Sequence, residues 1–329
     1  MATIKDIAKH TGLGLATVSK YINGGTVKEK NKIAIEQAID TFGYTVNHTA
    51  RSLRSGKSMS IGVILPQIKE VFRTTILSRV EELLRINGYS LIFVDSKLSP
   101  RREKEAVEFV ISKQVDGIIN IPVAFNKDHL MPVVEKNIPL VLIDFTLPGL
   151  EDYASAVVVD NINAAKMATE HLIKAGHTHI AILLGTDDAR MDLERLEGYK
   201  QAHAEHGIKI QQELIKFTDY TIKQAYERSK ELLTILKPTA LFSANYYATM
   251  GAIMAIQSMN IQMPKDLAYI GFDKTPLTDV FSPPITYIEQ PLEEIAMQVA
   301  NIMLEKLTTE NVKPKTVTLS TKIHPGETV

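Results

Sequence analysis

Leu15, Ala16, Thr17, Ser19 and Lys20 crowd into one short stretch near the start of the chain, and Asn23 follows closely. Hydroxyls, an amide and an ammonium donate to acceptors on base edges, and short apolar groups fit against a thymine methyl. Val18 and Ile22 lie one helical turn apart and form an apolar stripe, so the other side chains face outward together. Upstream, Thr3 and Asp6 have N-cap and N3 spacing, a capping box with Asp in place of Glu. Ile4, Ile7 and Ala8 share one face of that first helix, and Ala8 is small where the second helix must approach. Gly12 can take the left-handed conformation that ends a helix and turns the chain at once. Two short helices joined by a tight turn are therefore expected over residues 3–23, with the second presented to a major groove of double-stranded DNA. A helical hairpin packed on a larger domain would share the apolar stripe but would not need the outward donors.

Charge points the same way. The 329 residues hold 37 Lys+Arg against 38 Asp+Glu, a net of −1 that by itself implies no polyanionic partner. Residues 1–58, however, carry nine basic and four acidic side chains, a net of +5, which leaves −6 for the remainder. A basic head on an acidic body is the asymmetry of a nucleic-acid reader joined to something else. It implies binding weakened by salt through counterion release.

A second polar set lies near the ends of strand-like apolar runs. Asp144 follows 140–143, Asn245 follows 240–243, Asp273 follows 267–272, and Arg195 lies beyond 180–184. An arginine fork with carboxyl and amide partners can hold hydroxyls or a phosphate. Phe72, Arg73 and Arg190 join the set on loop position alone. A surface ion pair of Arg195 with Asp192 or Glu194 is the plainer alternative.

These side chains need elements to hold them. A third helix is expected over 29–42, with Ile35, Ala38, Ile39 and Phe42 on one face and Gly43 as its stop. A DNA-binding domain thus closes near residue 46. Residues 47–58 have an Asn cap and a Gly stop only about two turns apart, too short for a stable helix alone. They are expected to fold against a partner. From residue 60 the pattern alternates. Strand-like runs at 61–65, 91–94, 117–121, 140–143 and 156–159 are interleaved with amphipathic stretches such as 75–86 and 103–113. After a helix at 164–175 it restarts at 180–184, 240–243, 267–272 and 285–288, then a helix at 293–306 and a strand at 316–320. Runs apolar along their whole length fit parallel strands covered on both faces. The fold class is an all-α headpiece plus an α/β core of two doubly wound parallel-sheet lobes, spanning 59–329. Ligands in such sheets bind beyond the carboxyl ends of the strands, in the cleft.

Other chemistry is poorly supported. There is no cysteine, so disulfides and thiolate metal sites are excluded. No run of about 18 apolar residues spans a membrane, and the charged N-terminus lacks the apolar stretch of a signal peptide. A cytoplasmic protein is expected. His177 and His179 have no third ligand nearby and read as a solvated loop. Gly12-Leu-Gly14 sits between helices, not after a strand. No nucleotide loop, nucleophile elbow or zinc-protease motif occurs, so neither an enzyme nor a cofactor is expected.

Several segments together resemble one family. They are Thr3-Ile-Lys-Asp-Ile-Ala, Ala16-Thr-Val-Ser-Lys, Gly43-Tyr44, residues 47–53, Ile61-Gly-Val-Ile-Leu-Pro and Gly117-Ile-Ile. Further on come Gly176-His-Thr-His-Ile-Ala, Arg195-Leu-Glu-Gly-Tyr, Pro264-Lys-Asp-Leu and Ile270-Gly-Phe-Asp. The chain is similar to the lactose-repressor/galactose-repressor (LacI/GalR) family of bacterial regulators over nearly its whole length. The resemblance implies a homodimeric repressor of a carbohydrate-utilisation operon, bound to a pseudo-palindromic operator. Leu15, Ala16 and Lys20 would read the major groove. The hinge, with Asn47, Ala50, Arg51, Leu53 and Arg54, would pair in the minor groove with Leu53 wedged into a base step. It also implies a periplasmic-binding-protein-like core with lobe crossings near 159–161, 289–291 and 319–321. An effector, a sugar or sugar phosphate, would lie between the lobes against Arg195, Asp273, Asn245 and Asp144. The alternative is a catabolite-control-type global regulator whose core answers to a phosphoprotein. Four places depart from the family pattern. Gly14 replaces the usual Ser cap, the loop at 24–26 is slightly short, 66–73 lacks the usual aromatic pair, and Tyr246-Tyr247 follow Asn245. The extra arginines and the absence of tryptophan favour a phosphorylated ligand over a free sugar. The chain has no C-terminal leucine heptads, so a dimer is expected, not a tetramer.

Overall fold

A computed structural model describes the chain except for Met1, Asn23, Gly24, residues 45–55, Pro276, Leu277 and Asp279. The chain divides into two compact units, Met1–Ser58 and Met59–Val329. Asn23 and the hinge residues Asn47, Ala50, Arg51, Leu53 and Arg54 lie outside the described residues.

The first unit holds α1 (Ile4–Thr11), α2 (Leu15–Ile22) and α3 (Glu29–Phe42). The capping box forms as expected: the Asp6 carboxylate accepts the Thr3 N–H at 2.8 Å and the Thr3 hydroxyl accepts the Asp6 N–H at 3.4 Å. Gly12 ends α1 with φ 67°. Ile7, Val18, Ile35 and Ala38 are fully buried and form the core. Phe42 does not join them. It is 40% exposed and meets His10 edge-on instead. The reason is the end of α3, where Gly43 turns left-handed at φ 56°. The Gly43 N–H then bonds the Asp40 carbonyl and the Tyr44 N–H bonds that of Ile39. This Schellman closure folds the next residue back onto the helix, so Tyr44 packs against the core in place of Phe42.

The second unit is built on two six-stranded sheets. The first contains β1 (Ser60–Leu65), β2 (Ser90–Asp95), β3 (Gly117–Asn120), β4 (Leu140–Ile143), β5 (Ser155–Val159) and β11 (Thr316–Leu319). Their order is β11-β5-β4-β3-β1-β2, and every pairing is parallel. The second sheet contains β6 (Ile180–Leu183), β7 (Ile215–Lys216), β8 (Ala240–Ser243), β9 (Ala268–Phe272), β10 (Thr286–Glu289) and β12 (Lys322–His324), ordered β12-β10-β9-β8-β6-β7. Every residue of β3, β4, β6, β8 and β9 is buried, which is why these strands read as apolar runs, with Asn120 and Ser243 as polar ends. The chain passes between lobes after β5, after β10 and after β11, as the resemblance implied.

Differences fall at edges and termini. The short strands β7 and β12 were not legible in the sequence, and β12 pairs antiparallel with β10. Helix α4 (Val71–Ile86) starts before the apolar period of 75–86 does. Thr74 and Thr75 break the period, yet their hydroxyls donate to the carbonyls of Glu70 and Val71 at 2.8 and 2.7 Å, so the helix absorbs them. Phe72 and Arg73 therefore stand on a first helical turn and not on a loop.

In the second lobe, helices Asn161–Lys174 and Arg190–Glu205 approach closely at Gly198. A Cβ there would sit 2.0 Å from the Ile162 carbonyl oxygen. Backbone cannot rotate away as a side chain can. Gly198→Ala is expected to cost about 2 kcal/mol of stability by overpacking, beyond the gain in helix propensity. Urea denaturation measures it; a midpoint at or above wild type would show that the helices separate freely.

Candidate functional site

The first candidate surface lies on α2. Leu15 is 47% exposed, Ala16 and Lys20 are exposed, and Thr17 and Ser19 are half-buried. Val18 points the other way, into the core. Ala16, Thr17 and Lys20 border an open groove whose other side is Thr26, Val27, Lys28, Lys30 and Asn31. The sequence reading named none of this second wall. Its lysines belong to the excess positive charge of residues 1–58, which is the signal that pointed there. Thr3 is placed differently from the rest. Its hydroxyl donates to Asp6 at 2.7 Å and accepts the Asp6 N–H, so the cap holds that side chain.

The second candidate lies between the lobes of the core. Asp144 ends β4 in one lobe and Asp273 ends β9 in the other, both with left-handed backbone at φ 79° and 67°. Asn245 caps the helix Tyr246–Ser258, its Oδ1 accepting the Ala248 N–H at 2.8 Å. Arg195 is 5% exposed. It donates to Asn161 Oδ1 at 2.9 Å and the Ala244 carbonyl at 2.6 Å, and lies over the Phe272 ring. It forms no pair with Asp192, which instead accepts from the Gly185 N–H at 2.7 Å and from the Tyr220 hydroxyl. Arg195, Asn245, Asp273, Asp144, Phe72 and Arg73 all border one polar recess, together with Glu70, Met191, three tyrosines and Gln290. Arg190 lies outside it, ion-paired to Glu194 and reaching Thr146 across the cleft.

The electrostatics differ from the sequence-based expectation. Arg73 is held by Asp144 at 2.9 Å and by Glu70. Although burial opposes its charge, those two carboxylates keep the guanidinium protonated more firmly than usual. All three arginines thus have partners, while Glu70, Asp144 and Asp273 bring three carboxyl groups to the recess. Burial pushes Asp273 up to about 7 against the pull of Arg195 and of Gln290, which donates to it at 2.6 Å. Burial raises Glu70 and Asp192 as well. The arginines are therefore not spare, and the argument from them for a phosphate loses its footing. Tryptophan is absent, but Tyr220, Tyr246 and Tyr247 meet edge to face around the recess and give it aromatic walls. Sequence spacing could not reveal these partners, because Glu70, Asp192 and Tyr220 belong to three separate segments.

One buried carboxylate supports the wall of the cleft. Glu103 is fully buried. It accepts from Asn120 Nδ2 at 3.0 Å and from the Val123 and Ala124 N–H groups at 3.1 and 2.7 Å. His129 Nε2 lies 3.3 Å away. Burial works against this carboxylate, but His129 and the donated hydrogen bonds hold it below the usual range. His177 and His179 are not simply solvated: they bond to Thr239 and to the Leu236 carbonyl at 3.1 Å each. Among the described residues no helix is long and apolar enough to cross a membrane.

Comparison with known proteins identifies both parts of the chain. Residues 3–47 match the model for bacterial regulatory proteins of the lacI family, and residues 169–329 match that for a periplasmic binding protein-like domain. The HTH-type transcriptional repressor PurR of Actinobacillus pleuropneumoniae serotype 3 is 30% identical over 327 residues, covering 99% of this chain and 96% of that protein. Catabolite control protein A of Priestia megaterium is also 30% identical, covering 98% and 97%. A crystal structure of the Lac repressor bound to ONPG shares the fold, with a TM-score of 0.86, 22% identity and coverage of 100% and 99%. The headpiece, the two-lobed core and these likenesses place the chain in the LacI family, as a DNA-binding transcriptional regulator.

Proposed function

We propose that this regulator is a homodimeric repressor. It reads a pseudo-palindromic operator through Leu15, Ala16, Thr17, Ser19 and Lys20, and an uncharged sugar held between its lobes sets its affinity. The observation that carries the DNA reading is an outward face of donors and small groups on α2 while Val18 fills the core. The convergence of Arg195, Asp273 and Asn245 on one recess supports a polyhydroxy ligand, since a hydroxyl can both donate and accept among such mixed groups. Three carboxyl groups beside engaged arginines disfavour a phosphate. Regulation by a phosphoprotein would need a partner surface in place of a cleft, and the built recess supports the small-molecule reading. Light scattering is expected to give two chains per particle, and a monomer or tetramer at micromolar concentration would overturn that.

Lys20→Ala tests the reading helix. Operator affinity is expected to fall by about 1–3 kcal/mol, with base preference relaxed at one position of each half-site. Binding isotherms on operator and random DNA are compared. Equal loss on both would mean that Lys20 touches phosphate only.

A further inference from the structure

Next to the polar recess, and open to it past Arg73, Met191, Tyr220 and Tyr247, lies a cavity of about 530 Å³. The recess itself has only about 40 Å³ of free space. Cavities of roughly 300–1,000 Å³ accommodate ligands larger than a single small ring. The walls of this one are aromatic from both lobes. Phe125 stacks on Phe145 with ring centres 6.0 Å apart and planes 24° from parallel, and Tyr220 and Tyr247 face the space from the other lobe.

Phe125 is 47% exposed, yet its loop is tied down. The two residues before it, Val123 and Ala124, donate their N–H groups to the buried Glu103. Burying a carboxylate is costly, and here the ring it helps to position remains open to solvent. A lone exposed apolar side chain needs no explanation. An anchored one, stacked on a second ring inside a concave space, is placed for something else to cover.

We propose that the Phe125–Phe145 shelf is a ring-binding subsite. The effector carries a second, flat or apolar-faced ring beyond the one whose hydroxyls meet Arg195 and Asp273. This rests on the sugar reading of the cleft. An aryl aglycone and a second sugar ring share the required chemistry, because each offers a face to stack on phenylalanine. Asp188 and Asp219 border the cavity together with Arg73 and Arg190, so the cavity is not charged in one sign and its aromatic walls are what a second ring would meet.

The test is calorimetry on the full chain with matched methyl glycosides, p-nitrophenyl glycosides and disaccharides of glucose, galactose and mannose. For the sugar that binds, the aryl glycoside or the disaccharide is expected to bind at least tenfold more tightly than the methyl glycoside. Which of the two gains identifies the second ring. Phe125→Ala is expected to bring the larger ligands down to the methyl glycoside's level, and Phe125→Tyr to restore them, with unchanged melting temperatures checking the fold. Equal affinity of all three forms for wild type, or a gain that survives Phe125→Ala, overturns the subsite alone. If no glycoside binds wild type at all, the sugar reading fails and this proposal with it.

Discussion

Asp273→Asn is expected to weaken the effector response by roughly 100-fold while making the empty core more stable above neutral pH. A carboxylate accepts from two ligand hydroxyls at once, whereas an amide accepts at one oxygen and places an NH₂ group at the other. Hydrogen bonds to a charged group are worth about 1.5–3 kcal/mol each, enough for that loss. The stability gain has a different origin. Burial holds the Asp273 carboxyl at about 7 in the folded chain, well above its ordinary 3.8. Between those values the folded state keeps a proton that the unfolded state has released, so stability falls as pH rises and the loss is complete above about 7. Each pKa unit corresponds to about 1.4 kcal/mol, giving a cost on the order of 4 kcal/mol at pH 8. Asparagine removes that cost and flattens the profile between pH 4 and 7. The left-handed backbone at this position also tolerates asparagine. Denaturation profiles across this range and calorimetric titration with the effector measure both effects. A variant with the wild-type pH profile and wild-type affinity would show that Asp273 serves neither role. In wild type, affinity is expected to rise with pH through about 7, with proton release on binding.

Glu103→Ala is expected to destabilise the first lobe by about 3–5 kcal/mol, the range for removing one partner of a buried charged cluster. The Asn120 amide and the N–H groups of Val123 and Ala124 would be left buried with no acceptor. Glu103→Gln retains one acceptor oxygen and is expected to lose about half as much. Because the carboxylate is held below its ordinary range, its contribution is fully present at neutral pH and disappears in acid. The difference between wild type and Glu103→Ala should therefore shrink below about pH 4. A difference that is constant with pH would mean that the variant acts through lost packing and not lost charge.

Local features were legible because their causes are local. The Thr3–Asp6 box, the left-handed Gly12 and Gly43 and the helix Glu29–Phe42 each depend on residues a few positions apart. The central strands were legible for a related reason: a strand covered on both faces is apolar along most of its length, and β3, β4, β6, β8 and β9 are, with only Asn120 and Ser243 as polar exceptions at strand ends. The strand ends then located Asp144, Asn245 and Asp273. The edge strands β7 and β12 escaped notice because their neighbours in the sheet define them and their own pattern does not. Tyr44 replaced Phe42 in the core through a backbone turn that apolar spacing does not encode. The character of the cleft was decided by tertiary structure alone. Whether an arginine is free to meet a ligand depends on which carboxylates lie within about 3 Å. Arg73 finds Asp144, 71 positions away in the chain, and Tyr220 finds Asp192 at a separation of 28. Composition shows only that these groups exist. Which of them neutralise each other and which remain for a ligand is settled by the packing of the two sheets.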